Sequence, residues 1–493
     1  MKTLDRISIL LVVVLTSVSF QSCDAFLTET PESTYTTETF YTSQSDFAYA
    51  IASVYAAQQD LYDGQYGLLR FSIGRSDDTN CYNTNTYMDG ADAFTDNSSV
   101  KALEEAWTDL YVIITRANSI LIRIDNVEFT DADLKRHIKG EAYALRGWAY
   151  HTLGVLFGGV PLIVDAEYSV EETKQIGRST QTETFTQAES DYRKAIDLLP
   201  ESWNSDGLGR ITKYAAEASL GRLYMFMGDF SSALTALTDV INSGKYAMAT
   251  NYVDCFSDDF DNTAERVWEV QYIGNLSGEG QTFSEISLPE YYTGSWAISG
   301  SSAAMQVSTN LLATYEAGDL RKQITVVDGI TVQGALNEYT WFIKFNHASY
   351  VPQSGSDWDV NLPIIRYTDV LMMYAEAVNE ISGPTSEAID IVNKVRTRAG
   401  LAGLMTNKTS SRDNFREAIK QERRIEFAYE GLRWNDLVRW GDAMEVMNKF
   451  LQDQDEGNGI YQCDGTYRYI FAIPQEEITR YANSSKMWQN DGY

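Results

Sequence analysis

The sequence predicts a mainly α-helical fold of repeated helix pairs, with a loop-rich insertion carrying short strands. Three observations point there. Apolar residues recur at i, i+3, i+4 through several long stretches. Those stretches are separated by Gly, Asp or Pro, residues that stop helices and turn the chain. Between two groups of them, at about residues 245–361, the helical period disappears and glycines and aromatics accumulate. The chain has 493 residues, 44% hydrophobic and 22% charged, which is the composition of a folded protein.

Taken in order, the first segment is not part of the fold. Lys2 and Arg6 precede an apolar run from Ile7 to Val14 that continues through Leu15, Val18 and Phe20. Residues 1–22 therefore read as a signal peptide. The run ends in Ser22-Cys23, which resembles the site at which bacterial lipoproteins are cut and acylated, so Cys23 is the expected lipidation residue. Residues 23–40 then read as a lipidated Cys and a polar tether, and residues 41–493 as the folded domain. No second apolar run approaches the roughly 20 residues that span a bilayer, so attachment is expected through lipid alone. Cys81, Cys255 and Cys463 are too widely spaced for a disulfide framework, and which of them pair, if any, stays open.

Helical spacing starts near Phe47, with Ile51, Val54, Tyr55 and Leu61, and breaks over 74–99, a stretch of turn formers and aromatics. It resumes at Val100 with Leu103, Trp107, Leu110, Tyr111 and Ile114. A second long stretch, Asp133 to Phe157, is stopped by Gly158-Gly159-Val160-Pro161, because Pro161 cannot continue a helix. Trp107 and Trp148 lie inside these stretches and read as core. Phe185–Leu199 is the next helix. Lys213–Met227, Gly228-Asp229 and Phe230–Asn242 form a helix–turn–helix whose small residues, Ala215, Ala218 and Gly221, resemble a tetratricopeptide repeat. Leu362–Ile381 with Thr385–Ala399 looks like another pair. The repeat units thus cover about 100–244 and 362–452. In the insertion, Val267 to Tyr272 alternates like a strand. In a helix expected over 416–440, Asp436 lies three residues from both Arg433 and Arg439, a spacing suited to ion pairs on a helix surface.

Several segments together resemble the SusD/RagB family of Bacteroidetes outer-membrane lipoproteins. They are Cys23 to Leu27 with Pro31, Ala144 to Tyr150, Leu156 to Leu162, Gly209 to Ala216, Arg366 to Ala377, Glu422 to Leu437, Ile473 to Ile478 and Gln489 to Tyr493. Asp491 departs from the pattern, standing where Pro is usual. The ordered set, covering nearly the whole chain, carries the resemblance. It implies a helical fold with tetratricopeptide-like units, no catalysis, and a place at the cell surface beside a SusC-like TonB-dependent transporter. It also implies capture of an oligosaccharide for that transporter; capture of peptide, or a mainly lid-forming role, is the alternative.

The residues agree with a binding role. Asp and Glu number 69 against 39 Lys and Arg, so the surface repels nucleic-acid phosphates and no nucleic-acid partner is expected. The three histidines, His137, His151 and His347, make no metal-binding spacing, and neither a serine-nucleophile elbow nor a phosphate-binding loop occurs. No cofactor is expected. Ca²⁺ at Asp254, Asp258, Asp259, Asp261 and Asn262 is conceivable, but the stretch lacks the spacing of a calcium loop and reads as a solvated turn. Aromatic faces stack on the C–H faces of sugars, and short polar side chains bond their hydroxyls. The loops 77–95 and 281–300 therefore supply the candidate ligand residues: Tyr82, Tyr87, Phe283, Tyr291, Tyr292 and Trp296 for stacking, and Asp77, Asp78, Asn80 and Asn85 for hydroxyls.

Overall fold

The computed structural model describes residues 40–493, apart from 64–66, 81–89, 165–167, 275–277, 295, 297–299, 301–304, 350–351, 353, 356, 455–460 and 482–484. Residues 1–39, with the expected signal peptide, Cys23 and most of the tether, lie outside the described residues.

Eight long helices make the scaffold. They are α1 (Gln44–Asp63), α3 (Lys101–Arg123), α4 (Ala132–Phe157), α5 (Gln181–Leu198), α6 (Lys213–Met227), α7 (Phe230–Asn242), α8 (Tyr367–Ser382) and α9 (Ser386–Arg398), with the short α2 (Leu68–Gly74) between the first two. Each long helix packs on the next: α1 on α3, α3 on α4, and so on to α8 on α9. The contact of α7 with α8 joins helices separated in sequence by the whole insertion. This is how repeat proteins bury a continuous core that no single pair could bury. Trp107 and Trp148 are both in that core.

Local chemistry sets the helix ends. Thr180 and Glu183 form a reciprocal capping box, so α5 begins four residues before the expected Phe185. Asp131, Thr212, Asp229 and Thr385 each accept a bond from the first turn of α4, α6, α7 and α9. At the end of α4, Gly158 takes φ 76°, and a Cβ on Gly159 would lie 1.9 Å from the Ser179 carbonyl oxygen, so both positions require glycine.

Two expectations need correcting. Leu362–Ile381 is not one helix: Leu362–Arg366 is a strand, β6, paired antiparallel with β2 (Arg266–Val270). Pro363 and the β-branched pair Ile364-Ile365 favour extended backbone there. β2 is the strand expected from the alternation at Val267 to Tyr272, and all five of its residues are buried. The helix over 416–440 is two helices, α10 (Arg412–Glu426) and α11 (Arg433–Trp440), followed by α12 (Ala443–Gln454). The turn between α10 and α11 reverses through Tyr429 (φ 66°) and Gly431 (φ 73°).

Three strands of the insertion join one from residues 79–80 in a four-stranded sheet of order β1-β3-β5-β4. β1 is Thr79–Asn80, β3 Gln306–Val307, β4 Val326–Val332 and β5 Ala335–Phe342. β4 and β5 form a hairpin turning at Gln333-Gly334, both at positive φ.

Candidate functional site

The two loops chosen from the sequence are attached to this one sheet. β1 leads into residues 81–89 and pairs with β3, Thr79 opposite Val307 and Asn80 opposite Gln306. β3 pairs with β5 at Gln306 and Trp341. Trp341 of β5 and Ile330 of β4 form a small cluster with Leu288, Tyr292 and Ile343, and Trp296 packs on it. Asn80 and the segment carrying Leu288, Tyr292 and Trp296 are thus tied to the same sheet, although about 200 residues separate them in sequence.

The motif Glu422 to Leu437 anchors both sides of that sheet. On one side, Arg433 binds both carboxylate oxygens of Asp77, at 2.8 and 3.1 Å. Arg424 donates to Asp78 at 2.8 Å, to the Asp77 carbonyl at 3.1 Å and to Asn310 at 2.7 Å. Ser308 donates its N–H to the Asp78 carbonyl and its hydroxyl to the Asp77 carbonyl. Burial opposes ionisation of Asp77, but Arg433 and Arg424 hold its pKa below the usual carboxylate range; Asp78, buried beside that charge, is pushed up. On the other side, the Tyr429 ring stacks on Phe342 of β5, centroids 4.2 Å apart. Lys344 donates to Glu430 at 2.6 Å and to the carbonyls of Glu426 and Ala428. Burial brings Lys344 down to about 8, with Glu430 acting against that shift. Arg366 completes the join, reaching Glu265, Glu426 and Glu430 with all three guanidinium nitrogens.

These bonds correct the role of several residues. Asp77 and Asp78 are 1% and 2% exposed with their carboxylates engaged by arginine, so they are scaffold and do not offer bonds to a ligand. Arg433 pairs with Asp77 and not with Asp436, which is bound by Arg439 and Arg423; these pairs are buried, not on a helix surface. Phe283 is buried against Phe345 and Tyr429, and Tyr292 is buried in the small cluster, so neither ring is free for a sugar. Tyr82, Asn85 and Tyr87 lie outside the described residues. Asn80 is half-buried on β1.

Tyr291 and Trp296 remain at the surface. The loop carrying them is closed by a bridge between Glu290 and Gly300 and by the Gly300 N–H bonding to the Tyr292 carbonyl at 3.1 Å. Asn346 donates to the Trp296 carbonyl at 2.6 Å and to the Ser284 carbonyl at 2.8 Å. Tyr291 is 58% exposed and sits at φ 65°, uncommon for a bulky residue. Its hydroxyl is bonded to Glu290, which raises its pKa. Trp296 is half-buried. The sequence reading missed Tyr339 and Leu336, exposed at 48% and 66% on the hairpin. The signal was present: Gln333-Gly334 lies between two runs of strand-forming residues.

Three carboxylates of the acidic stretch are engaged by protein groups. Asp258 accepts two bonds from Ser349, Asp254 accepts from Asn251, and Asp261 meets Arg266 at 3.0 Å. Among the described residues no group of three or more His, Cys, Asp or Glu is placed to hold a metal. Cys255 and Cys463 are free and buried, and Cys81 lies outside the described residues. Among the described residues no helix is long and apolar enough to cross a membrane.

The architecture is that of a helical-repeat protein presenting a loop-built face on a small sheet. A family model described as "SusD family" matches residues 291–493, and one described as "Starch-binding associating with outer membrane" matches residues 25–225. The chain belongs to the SusD/RagB family. It is 28% identical to SusD-like protein P38 of Formosa agariphila, over 92% of this chain and 96% of that one. It is 26% identical to SusD-like protein P25 of the same organism, over 90% and 91%. Among solved structures, a laminarin binding SusD-like protein superposes with TM-score 0.75 at 25% identity, covering 92% of this chain and all of that one. Surface glycan-binding protein A from Bacteroides fluxus superposes with TM-score 0.78 at 22% identity, over 92% of this chain and 100% of that one.

Proposed function

We propose that this protein is a cell-surface lipoprotein, acylated at Cys23, that binds oligosaccharide at the loop face and passes it to a SusC-like TonB-dependent transporter, with no catalytic step of its own. The observation that carries the reading is the exposed Tyr291, on the loop that also carries Trp296, which packs against the sheet containing Asn80. An aromatic ring held at the surface by a rigid support is a low-entropy platform for the apolar face of a sugar. The likeness to a laminarin binding SusD-like protein supports the glycan class.

The test is calorimetric titration of the wild type and of Tyr291→Ala with oligosaccharides from a glycan array, beside a peptide panel. Tyr291→Ala is expected to weaken glycan binding at least several-fold with little change in thermal midpoint. Trp296→Ala is expected to weaken binding too, and to lower the midpoint modestly because that residue also packs against the cluster of Leu288, Tyr292, Ile330, Trp341 and Ile343. Unchanged affinity in both variants would remove this face from the site. Binding to peptides and to no glycan would assign the alternative cargo.

A further inference from the structure

A groove of about 1080 Å³, open to solvent, lies on α3 and shares no residue with the loops that carry Tyr291 and Asn80. Its floor is one stripe of that helix, Thr108, Tyr111, Val112, Thr115 and Ser119, at helical spacing. Thr108 and Thr115 are exposed, while α3 packs on α1 and α4. The walls come from the segment that leaves α4, with Pro161, Ile163 and Tyr168, and from the short helix Gln475–Arg480 with Tyr481 after it. The first wall is firmly held. The Pro161 carbonyl accepts from the Tyr111 hydroxyl at 2.7 Å, and the Ile163 carbonyl accepts from Asn118 and Tyr150 at 2.8 and 2.9 Å.

The charge of this groove is the reverse of the chain as a whole. The chain carries a net −30, yet among the described residues the groove is lined by Arg116, Lys174 and Arg480 against Glu477 alone. Tyr41 lines it too, and its ring sits 5.1 Å from the Arg123 guanidinium, at the C-terminal end of α3. The chain thus enters the described fold at the groove. The segment just before, residues 23–39, holds Asp24, Glu29, Glu32 and Glu38 and no Lys or Arg. It also holds Phe26, Leu27 and Tyr35, apolar groups that a freely solvated spacer does not need. Pro31 and the threonines around it favour extended backbone.

We propose that this tether is seated in the groove, extended along α3, with Tyr35 on the floor beside Tyr111 and Glu38 beside Arg116. The lengths agree. Tyr35 is six residues from Tyr41, a reach of about 20 Å in extended chain, and Tyr111 is twelve residues from Arg123, about 18 Å along the helix. Glu38 reaches about 10 Å, and Arg116 lies about 10 Å from Arg123. An acidic, aromatic strand meets a basic, aromatic groove. A segment joined to the groove by so short a link has an effective concentration on the order of mM, which favours it over a second copy or a free peptide. On the reading that Cys23 is acylated, the seat shortens the span between lipid and fold and turns the α3 side towards the membrane. The seat itself needs no lipid, so it can be tested apart from that reading.

The experiment is hydrogen-exchange mass spectrometry on the soluble mature chain starting at Asp24, at two protein concentrations. Amides of residues 32–38 are expected to exchange about tenfold or more slowly than an unstructured chain. Tyr35→Ser, which lies outside the helical domain and leaves its core intact, should remove most of that protection. Thr115→Glu, at an exposed helix position, should reduce it several-fold by repelling the acidic tether. Arg116→Glu should do the same, and adding Glu38→Arg should restore it. Exchange of the wild-type tether at the unstructured rate, or protection that survives both Tyr35→Ser and Thr115→Glu, would overturn the proposal. Protection that rises with concentration alongside a dimer in sedimentation would give the groove to a second copy and overturn it as well.

Discussion

Replacing Asp77 with alanine separates a ligand residue from a structural one. The sequence offered Asp77 as a hydroxyl-binding side chain in a polar loop, whereas the fold buries it between Arg433 and Arg424. Removing one partner of a buried ion pair costs about 3–5 kcal/mol, because the remaining charge is left unpaired. Arg424 keeps Asp78, and the Arg433 side chain is 13% exposed, so the lower end, about 3 kcal/mol, applies. Unfolding entropy near 2.1 cal/mol/K per residue over about 450 residues gives about 1 kcal/mol per degree, so the midpoint should fall by about 3 °C. The assay is calorimetric melting of wild type, Asp77→Ala, Arg433→Ala and the double variant. The double variant should be less destabilised than the sum of the singles, by about 0.5–3 kcal/mol. Glycan affinity, titrated below the transition, should drop only as far as the β1 segment loosens. An Asp77→Ala protein with an unchanged midpoint and no glycan binding would refute this account and return Asp77 to the ligand.

Further outcomes follow from other sites. Burial alone would raise the Asp369 pKa, but Arg423 and Arg222 outweigh it and hold it at about 2. A carboxylate depressed in the folded state contributes stability that is present above its unfolded pKa of about 3.9 and is lost as pH falls towards 2, so Asp369→Asn should flatten the acid limb of a pH–stability curve there. His151, buried beside Phe185 and Tyr192, is held down to about 3 by burial and by Arg222. The unfolded chain protonates it first, so stability should decline from about pH 6.5 towards 3, and His151→Phe should remove that part of the slope in acid titrations followed by circular dichroism. Gly154→Ala places a Cβ 2.4 Å from the buried Phe185 ring and should cost about 1–3 kcal/mol in urea unfolding. A chain beginning at Asp24 behind a secretory signal, expressed without the transporter, should stay in the supernatant when membranes are pelleted; pelleting would sink the single-anchor reading, since stable anchoring takes more than one acyl chain.

By itself the sequence determined what depends on neighbours along the chain. The helix pair Lys213–Met227 and Phe230–Asn242 stands in the structure with the bounds expected, because apolar period, Thr212 and Asp229 caps and Gly228 are all local signals. The stop at Gly158-Gly159 was equally legible. It also singled out two loops that the fold ties to one sheet, since turn formers and aromatics concentrate there. What the tertiary structure alone decided is which of those residues face out. Asp77, Tyr292 and Tyr291 look alike as polar or aromatic loop residues. The first is neutralised by arginines some 350 positions away, the second fills a cluster with Trp341, and the third is left exposed on a closed loop. The same holds for Leu362–Arg366, which reads as the start of a helix until β2, nearly a hundred residues earlier, supplies its hydrogen bonds. Burial and pairing are set by contacts across large sequence separations, and no periodicity within a single stretch encodes which distant partner will arrive.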